Sequence, residues 1–228
     1  RGNVYHAYAV RTDLYDQGVR TIADLRGRSL AMPSDAGIDL LELKLVLESG
    51  GLTLDDIQMQ LIRLPDMPAA LQNGAVDAAE LVEPYVTIAT KQLNAGVSIV
   101  GGDDLIDIIG NNFPISVIVA GPPMVQDRPL LEAFLVGYLK GARYYLQALQ
   151  DPDIRAEVVE ILKNRTPLKD DALYEQMTWP GVSEDGTFDV TKLTEVQELW
   201  QQRGKIQQAV PVEQLVDFSF VENAAKQL

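Results

Sequence analysis

The stretch DAAELVEPY (77–85) sets one carboxylate, Glu80, inside an apolar run, and a second, Glu83, where that run ends before Pro84 and Tyr85. A buried carboxylate with no partner costs several kcal/mol or takes up a proton. Glu80 therefore requires a partner or a view of water. It can accept hydrogen bonds from an amine, amide or amidine-like ligand. It can equally pair with Arg63 or Lys91, or sit at an exposed edge. Glu83 precedes a helix start, where the helix dipole favours a carboxylate as cap, or it contacts ligand directly. Tyr85 can stack on a ligand or serve as packing.

A second candidate is PSDAGI (33–38), where a strand gives way to a helix. The amides of Ala36, Gly37 and Ile38 have no intrahelical partner there and make a partly positive pocket. Gly37 permits close approach to the backbone. Ser34 and Asp35 line this turn as ligand contacts, or cap the helix at a value of about 1 kcal/mol. In VYHAYAV (4–10), strand alternation puts His6 and Tyr8 on one face and Tyr5 on the other. Asn111 and Asn112 present amides to a ligand or make a turn. Trp179 sits in the loop TWPG (178–181) as packing or as a cover for a site.

Composition limits the chemistry these groups can perform. The chain has 228 residues, no cysteine and one histidine. Thiol nucleophiles, iron–sulfur ligation, disulfides and Cys/His zinc sites are thereby removed, and acid–base work by histidine rests on His6 alone. No catalytic residue, cofactor or metal site is expected. The formal net charge of −14 opposes nucleic acid and anionic membrane surfaces as partners. No stretch approaches the roughly 20 apolar residues of a membrane-spanning helix, and no export signal opens the sequence.

The elements that must position these groups alternate. Strands are expected at 4–10, 29–33, 57–65, 75–83 and 97–102. Between them lie a short helix or turn at 21–28 and helices at 34–51, 66–74 and 84–96. Gly50–Gly51, Gly74 and Gly96 mark the helix ends, and Pro84 suits a first turn. This alternation predicts a parallel α/β unit. PISVIVAG (114–121) reads as a further strand, and helices are expected at 129–150, 151–164, 169–177, 191–203 and 211–227.

The ordered fragments TIADLRGRSLAMPS, LPDMPAALQNGAVDAA, EPY and FPISVIVA, followed by PVEQLVDFSFVENAAKQL, resemble one family from about Val4 to Leu228. It is the SsuA/NMT1/THI5-like family, the substrate-binding components of ABC importers for nitrate, sulfonate, taurine, bicarbonate and pyrimidine precursors. The resemblance implies a type II periplasmic-binding-protein fold of class α/β, with two lobes joined by two hinge strands and ligand in the cleft. Residues 4–10 and 114–120 would be the hinge strands. Residues 11–113 would form the inserted second lobe, and 1–10 with 114–228 the rest. The N-terminal part of the first lobe, a βαβ segment, is absent from the sequence. Relatives commonly hold a nitrate or sulfonate oxygen with Ser, Thr or Gly near Ser34–Gly37, and place an aromatic or aliphatic residue where this chain has Glu80.

The implied protein is an extracytoplasmic or periplasmic binding protein, not an enzyme and not itself membrane-spanning. Its partners would be a small-molecule ligand and an ABC permease. The acids Asp35 and Glu80 favour a small organic solute with a hydrogen-bond donor or cationic nitrogen over a bare oxyanion. A ligand-sensing domain of a receptor is the other reading. The enzymatic relatives that make a thiamine pyrimidine depend on a cysteine-rich motif that this chain lacks. The expected ligand-contacting set is His6, Tyr8, Ser34, Asp35, Gly37, Glu80, Glu83, Tyr85 and Asn112.

Overall fold

The computed structural model describes residues 5–228. The chain divides into two units. The first runs to Asn111 and takes in Ala172–Pro180; the second comprises Asn112–Asp171 and Gly181–Leu228.

The first unit is built on a five-stranded sheet in the order β3-β2-β4-β1-β5. In chain order, β1 (His6–Arg11) leads into α1 (Thr12–Asp16), a 3₁₀ turn at Ile22–Leu25 and β2 (Ser29–Met32). Then come α2 (Ile38–Ser49), β3 (Gln58–Leu61), α3 (Met67–Gln72) and β4 (Ala78–Val82). α4 (Tyr85–Thr87) continues into a π-helical turn over Ile88–Gln92, followed by β5 (Gly96–Gly101) and α5 (Gly102–Ile109).

β2 runs parallel to β3 and β4, whereas β1 is antiparallel to both β4 and β5. The expected all-parallel unit is therefore mixed. Strand direction is not written in hydrophobic periodicity, because either direction buries the same alternate residues. β1 is also an interior strand of this sheet, between β4 and β5, inside the unit that the sequence reading began at residue 11. Residues 1–4, which include the start of the expected strand at 4–10, lie outside the described residues.

Both faces of the sheet are covered, so its central strands carry few exposed positions. On one face, Ala9, Ala31, Ala79 and Leu81 pack with Met67, Leu71 and Ala89 from α3 and the helical segment after β4. The small alanines let those helices approach closely. The other face carries His6, Tyr8 and Glu80 and receives α2, whose Leu40, Leu43, Val46 and Leu47 are fully buried.

The segment 114–121 is not a strand: it adopts no regular structure, and Val117, Ile118 and Val119 are 44%, 48% and 85% exposed. Its apolar, β-branched composition suits a strand, but a strand forms only where a neighbour completes its hydrogen-bond ladder. No described segment does so, and the expected second hinge strand is corrected accordingly.

The second unit is helical: α6 (Pro122–Gln126), α7 (Arg128–Ala148), α8 (Pro152–Arg165), α9 (Asp171–Gln176, shared with the first unit), α10 (Thr191–Gln202), α11 (Val212–Leu215) and α12 (Ser219–Ala225). The helix expected over 211–227 is thus two, separated at Val216–Phe218. Asp127 caps α7 by accepting from the Leu130 amide, and Asp151 caps α8 by accepting from Asp153 and Ile154. Leu131, Leu135 and Leu139 of α7 meet Phe220, Val221 and Ala224 of α12 in the unit's core.

Candidate functional site

Strand pairing brings the first group of side chains together. Tyr8 on β1 lies directly opposite Glu80 on β4, and His6 is opposite Val82. His6 and Glu80 are therefore diagonal neighbours on one sheet face, within reach of each other. α2 crosses that face and adds Glu42 to them. The His6 Nδ1 atom lies 3.4 Å from Glu42 Oε2 and 3.8 Å from Glu80 Oε1. The Tyr8 hydroxyl donates to Glu42 Oε1 at 3.3 Å.

His6, Glu42 and Glu80 are only 3%, 1% and 1% exposed. Among the described residues, neither ring nitrogen of His6 and neither carboxylate oxygen of Glu80 has a hydrogen-bond partner. Buried polar atoms are normally paired, so four orphans in one place mark a strained or functional arrangement. Burial first, and then the Glu42 and Asp39 charges, push the Glu80 carboxyl well above the usual carboxylate range. The Tyr8 phenol is raised by burial and by Glu42 and Glu80. Asp39 in the first turn of α2 is raised by burial and by Glu42.

His6 also forms part of a cavity wall. A cavity of about 280 Å³ opens among Tyr5, His6, Glu83, Ser98, Gly101, Asp103 and Thr178, with Ala7, Val86 and Gly102 completing it. Among the described residues, its lining carries two carboxylates and neither lysine nor arginine. Gly101 admits β1 closely, since a Cβ there would meet the His6 carbonyl at 3.3 Å and the Ala7 Cβ at 3.1 Å.

Glu83 is fully employed in the wall. Its carboxylate accepts from the Thr87 amide at 3.0 Å, the Thr87 hydroxyl at 3.1 Å and the Thr178 amide at 3.0 Å. It thereby serves the start of α4 and ties residues 172–180 to β4. The peptide between Glu83 and Pro84 is cis.

The structure gathers some of the expected residues and disperses others. His6, Tyr8 and Glu80 converge, and His6 and Glu83 share the cavity. Glu80 is not at a solvent-facing strand end, and it pairs with neither cation named for it. Arg63 instead bonds Asp66, and Lys91 donates to the Gln176 carbonyl. Ser34, Asp35 and Gly37 form a half-buried turn outside the cavity. The residue preceding α2 is Gly37, and α2 has no side-chain cap; the Ser34 hydroxyl accepts from the Ala36 amide at 3.1 Å instead. The expected cap by Ser34 or Asp35 is corrected: the N-cap position falls on Gly37, two to three residues beyond them.

Tyr85 packs against the alanine-rich core on the face opposite Glu80. Asn112 lies in the second unit, where its carbonyl accepts from the Asp189 amide at 3.2 Å. Trp179 is buried and donates its indole N–H to the Tyr174 carbonyl at 2.9 Å.

Sequence reasoning missed Glu42, Ser98, Asp103 and Thr178. For Glu42 a signal existed: it stands among leucines in LLELKL (40–45), on a helix whose apolar residues run nearly all round. A helix of that kind is buried on most sides, and an acid within it needs an interior partner.

Residues 5–163 match the family model described as NMT1-like, and the chain belongs to that family. Similarity to individual proteins is lower. A Brucella abortus (strain 2308) chain named as a binding protein is 24% identical over 149 residues, which are 64% of this chain and 46% of that one. The chain therefore spans about half the length of the curated relatives it matches.

The fold is that of solved periplasmic binding proteins. The aliphatic sulphonate binding protein SsuA of Escherichia coli superposes with a TM-score of 0.69 at 18% identity, covering 93% of this chain and 65% of that one. The nitrate-binding protein NrtA of Synechocystis PCC 6803 gives 0.64 at 12% identity, covering 100% and 66%. Both are named as binding proteins. No helix among the described residues is long and apolar enough to cross a membrane.

Proposed function

We propose that this chain belongs to the extracytoplasmic solute-binding component of an ABC importer, and that its solute is a small polar organic molecule carrying hydrogen-bond donors or a cationic nitrogen. The observation that carries this reading is the charge of the cavity. Among the described residues, Glu83 and Asp103 line it, while lysine and arginine do not. Carboxylates in the lining disfavour a bare anion and favour donors or positive charge. The Ser98 hydroxyl supplies a further polar group in the lining. Delivery to a membrane permease follows from the role of such components.

A second reading, an oxyanion such as a sulfonate or nitrate, is favoured by what the Escherichia coli and Synechocystis relatives are named for binding. A thermal-shift screen of the full chain separates the two. Amines, amidines and aminopyrimidines are set against sulfonates, nitrate and bicarbonate. The proposal expects upward shifts from the nitrogen compounds. A clear shift by an oxyanion, with every nitrogen compound silent, rejects it.

A further inference from the structure

We propose that His6, Glu42 and Glu80 form a mononuclear site for a divalent first-row transition cation of the Zn²⁺ class, held through His6 Nδ1 and one oxygen of each carboxylate. Each of the three offers a ligand atom, and these atoms all lie within 4.8 Å of one another. Ligands about 2.0–2.2 Å from a tetrahedral zinc sit roughly 3.3–3.6 Å apart. The observed separations of 3.4 Å and 3.8 Å from Nδ1 to the two carboxylate oxygens need little movement to close on an ion.

Three independent observations point to a cation here. The orphaned atoms are the first: both His6 nitrogens and both Glu80 oxygens lack hydrogen-bond partners among the described residues, in side chains 97% or more buried. A proton satisfies one of these atoms, whereas a metal ion engages three ligands at once. Charge is the second. A divalent cation would hold both carboxylates in their ionised form and balance the charge they then carry inside the protein. Donor chemistry is the third: imidazole with carboxylate suits zinc and its first-row neighbours, while magnesium and calcium prefer all-oxygen sets.

The surroundings fit as well. The Tyr8 hydroxyl holds Glu42 from the side of its other oxygen, the kind of outer contact that orients a metal-bound carboxylate. The ligands come from β1, α2 and β4, so their placement is fixed by sheet pairing and helix packing, not by a loop. His6 is also a wall residue of the cavity, so the buried cluster and the cavity share one residue.

The test uses the full chain, stripped with chelator and free of any solute, so its result is independent of the solute screen. The sequence contains one histidine, so the imidazole ¹⁵N resonances report this site alone. Addition of Zn²⁺ is expected to move those resonances and to saturate at one equivalent by calorimetry. Co²⁺ is expected to give the intense visible absorption of a four-coordinate centre, and Mg²⁺ at the same concentration to leave the ring resonances in place. Glu80→Gln and Glu42→Gln should each weaken Zn²⁺ binding at least tenfold. Ring resonances unmoved at saturating Zn²⁺ overturn the proposal. So does a folded Glu80→Gln protein that binds Zn²⁺ as tightly as the parent, or an equal response to Mg²⁺. Should a variant fail to fold, the ring resonances of the unaltered protein still decide.

Discussion

Glu80 and Glu83 lie three residues apart on the same stretch of chain, and their surroundings are opposite. Glu83 has three donors, from Thr87 and Thr178, within 3.1 Å. Among the described residues the Glu80 carboxylate has no hydrogen-bond partner; it faces His6, and burial together with the Glu42 and Asp39 charges raises its pKa. The difference arises from where each sits. Glu83 follows the last residue of β4, where a helix start and a returning loop present free amides. Glu80 is inside β4, where every backbone amide is already committed to the sheet ladder, so only side chains or a bound cation can serve it. The first glutamate is a structural clamp. The second is a group whose partner the fold leaves to be supplied.

Substitutions that separate the two roles sharpen this contrast. Glu83→Ala leaves the Thr87 and Thr178 amides unpaired and should cost roughly 2–4 kcal/mol, read from urea unfolding. Faster hydrogen exchange at the Thr178 amide should accompany it. A loss below about 0.5 kcal/mol would remove the clamp from the comparison. Glu80→Met should act in the other direction. In the metal-free protein it removes an uncompensated buried carboxylate and should stabilise by roughly 1–3 kcal/mol. Excess Zn²⁺ should then narrow or reverse that gain, because only the parent protein binds the ion. Destabilisation by Glu80→Met in the presence of chelator would mean that Glu80 is already well served.

A smaller effect belongs to Thr87→Val, which removes the hydroxyl donor to Glu83 and should cost about 1 kcal/mol. Smallest are the surface carboxylates that share Glu83's manner of satisfaction. The Asp24 carboxyl accepts the Arg20 amide, the Thr21 hydroxyl and the Thr21 amide, which hold its pKa below the usual value. Asp56 is held down in the same way by the Thr53 amide and hydroxyl. A depressed carboxylate adds stability above its unfolded pKa of about 3.9, and that contribution is lost as pH falls through the folded value. Stability should therefore decline below about pH 4, and the Asp24→Asn/Asp56→Asn variant should show a shallower decline in acid titration followed by circular dichroism. An unchanged slope would assign acid sensitivity elsewhere.

Much of the fold is legible in the residues. The alternation of apolar runs with Gly- and Pro-bounded segments places β2, β4, α2, α7 and α8 close to where they occur. β3 was legible too, although it is four residues of the expected nine. The error at 114–121 has a plain cause. Ile, Val and Ala in series describe what a strand is made of, and say nothing about whether a neighbour exists to pair with it. The helix at 211–227 was overextended because Val216–Phe218 carries no glycine or proline to announce the break.

The candidate site was legible one residue at a time and illegible as a set. Glu80 was conspicuous because an acid interrupts an apolar run. His6 and Tyr8 were placed on one face by strand alternation, and the structure keeps them there. Glu42 escaped notice because an acid on a helix is ordinary until the helix proves to be buried nearly all round. Ser34, Asp35 and Gly37 drew attention through the general behaviour of helix N-termini, yet α2 begins at Ile38 and the turn stands apart from the cavity.

What the sequence determined alone is therefore local and compositional: an acidic chain with a single histidine and no thiol, strands and helices in alternation, and a glutamate where burial demands an explanation. Periodicity and composition act between near neighbours, and such facts need no knowledge of which strand pairs with which. Tertiary structure decided the antiparallel insertion of β1 between β4 and β5, and the laying of α2 across that face. Those two choices bring residues 6, 42 and 80 within a few ångströms of one another. The meeting depends on pairing register and helix packing, which are set by contacts between segments tens of residues apart.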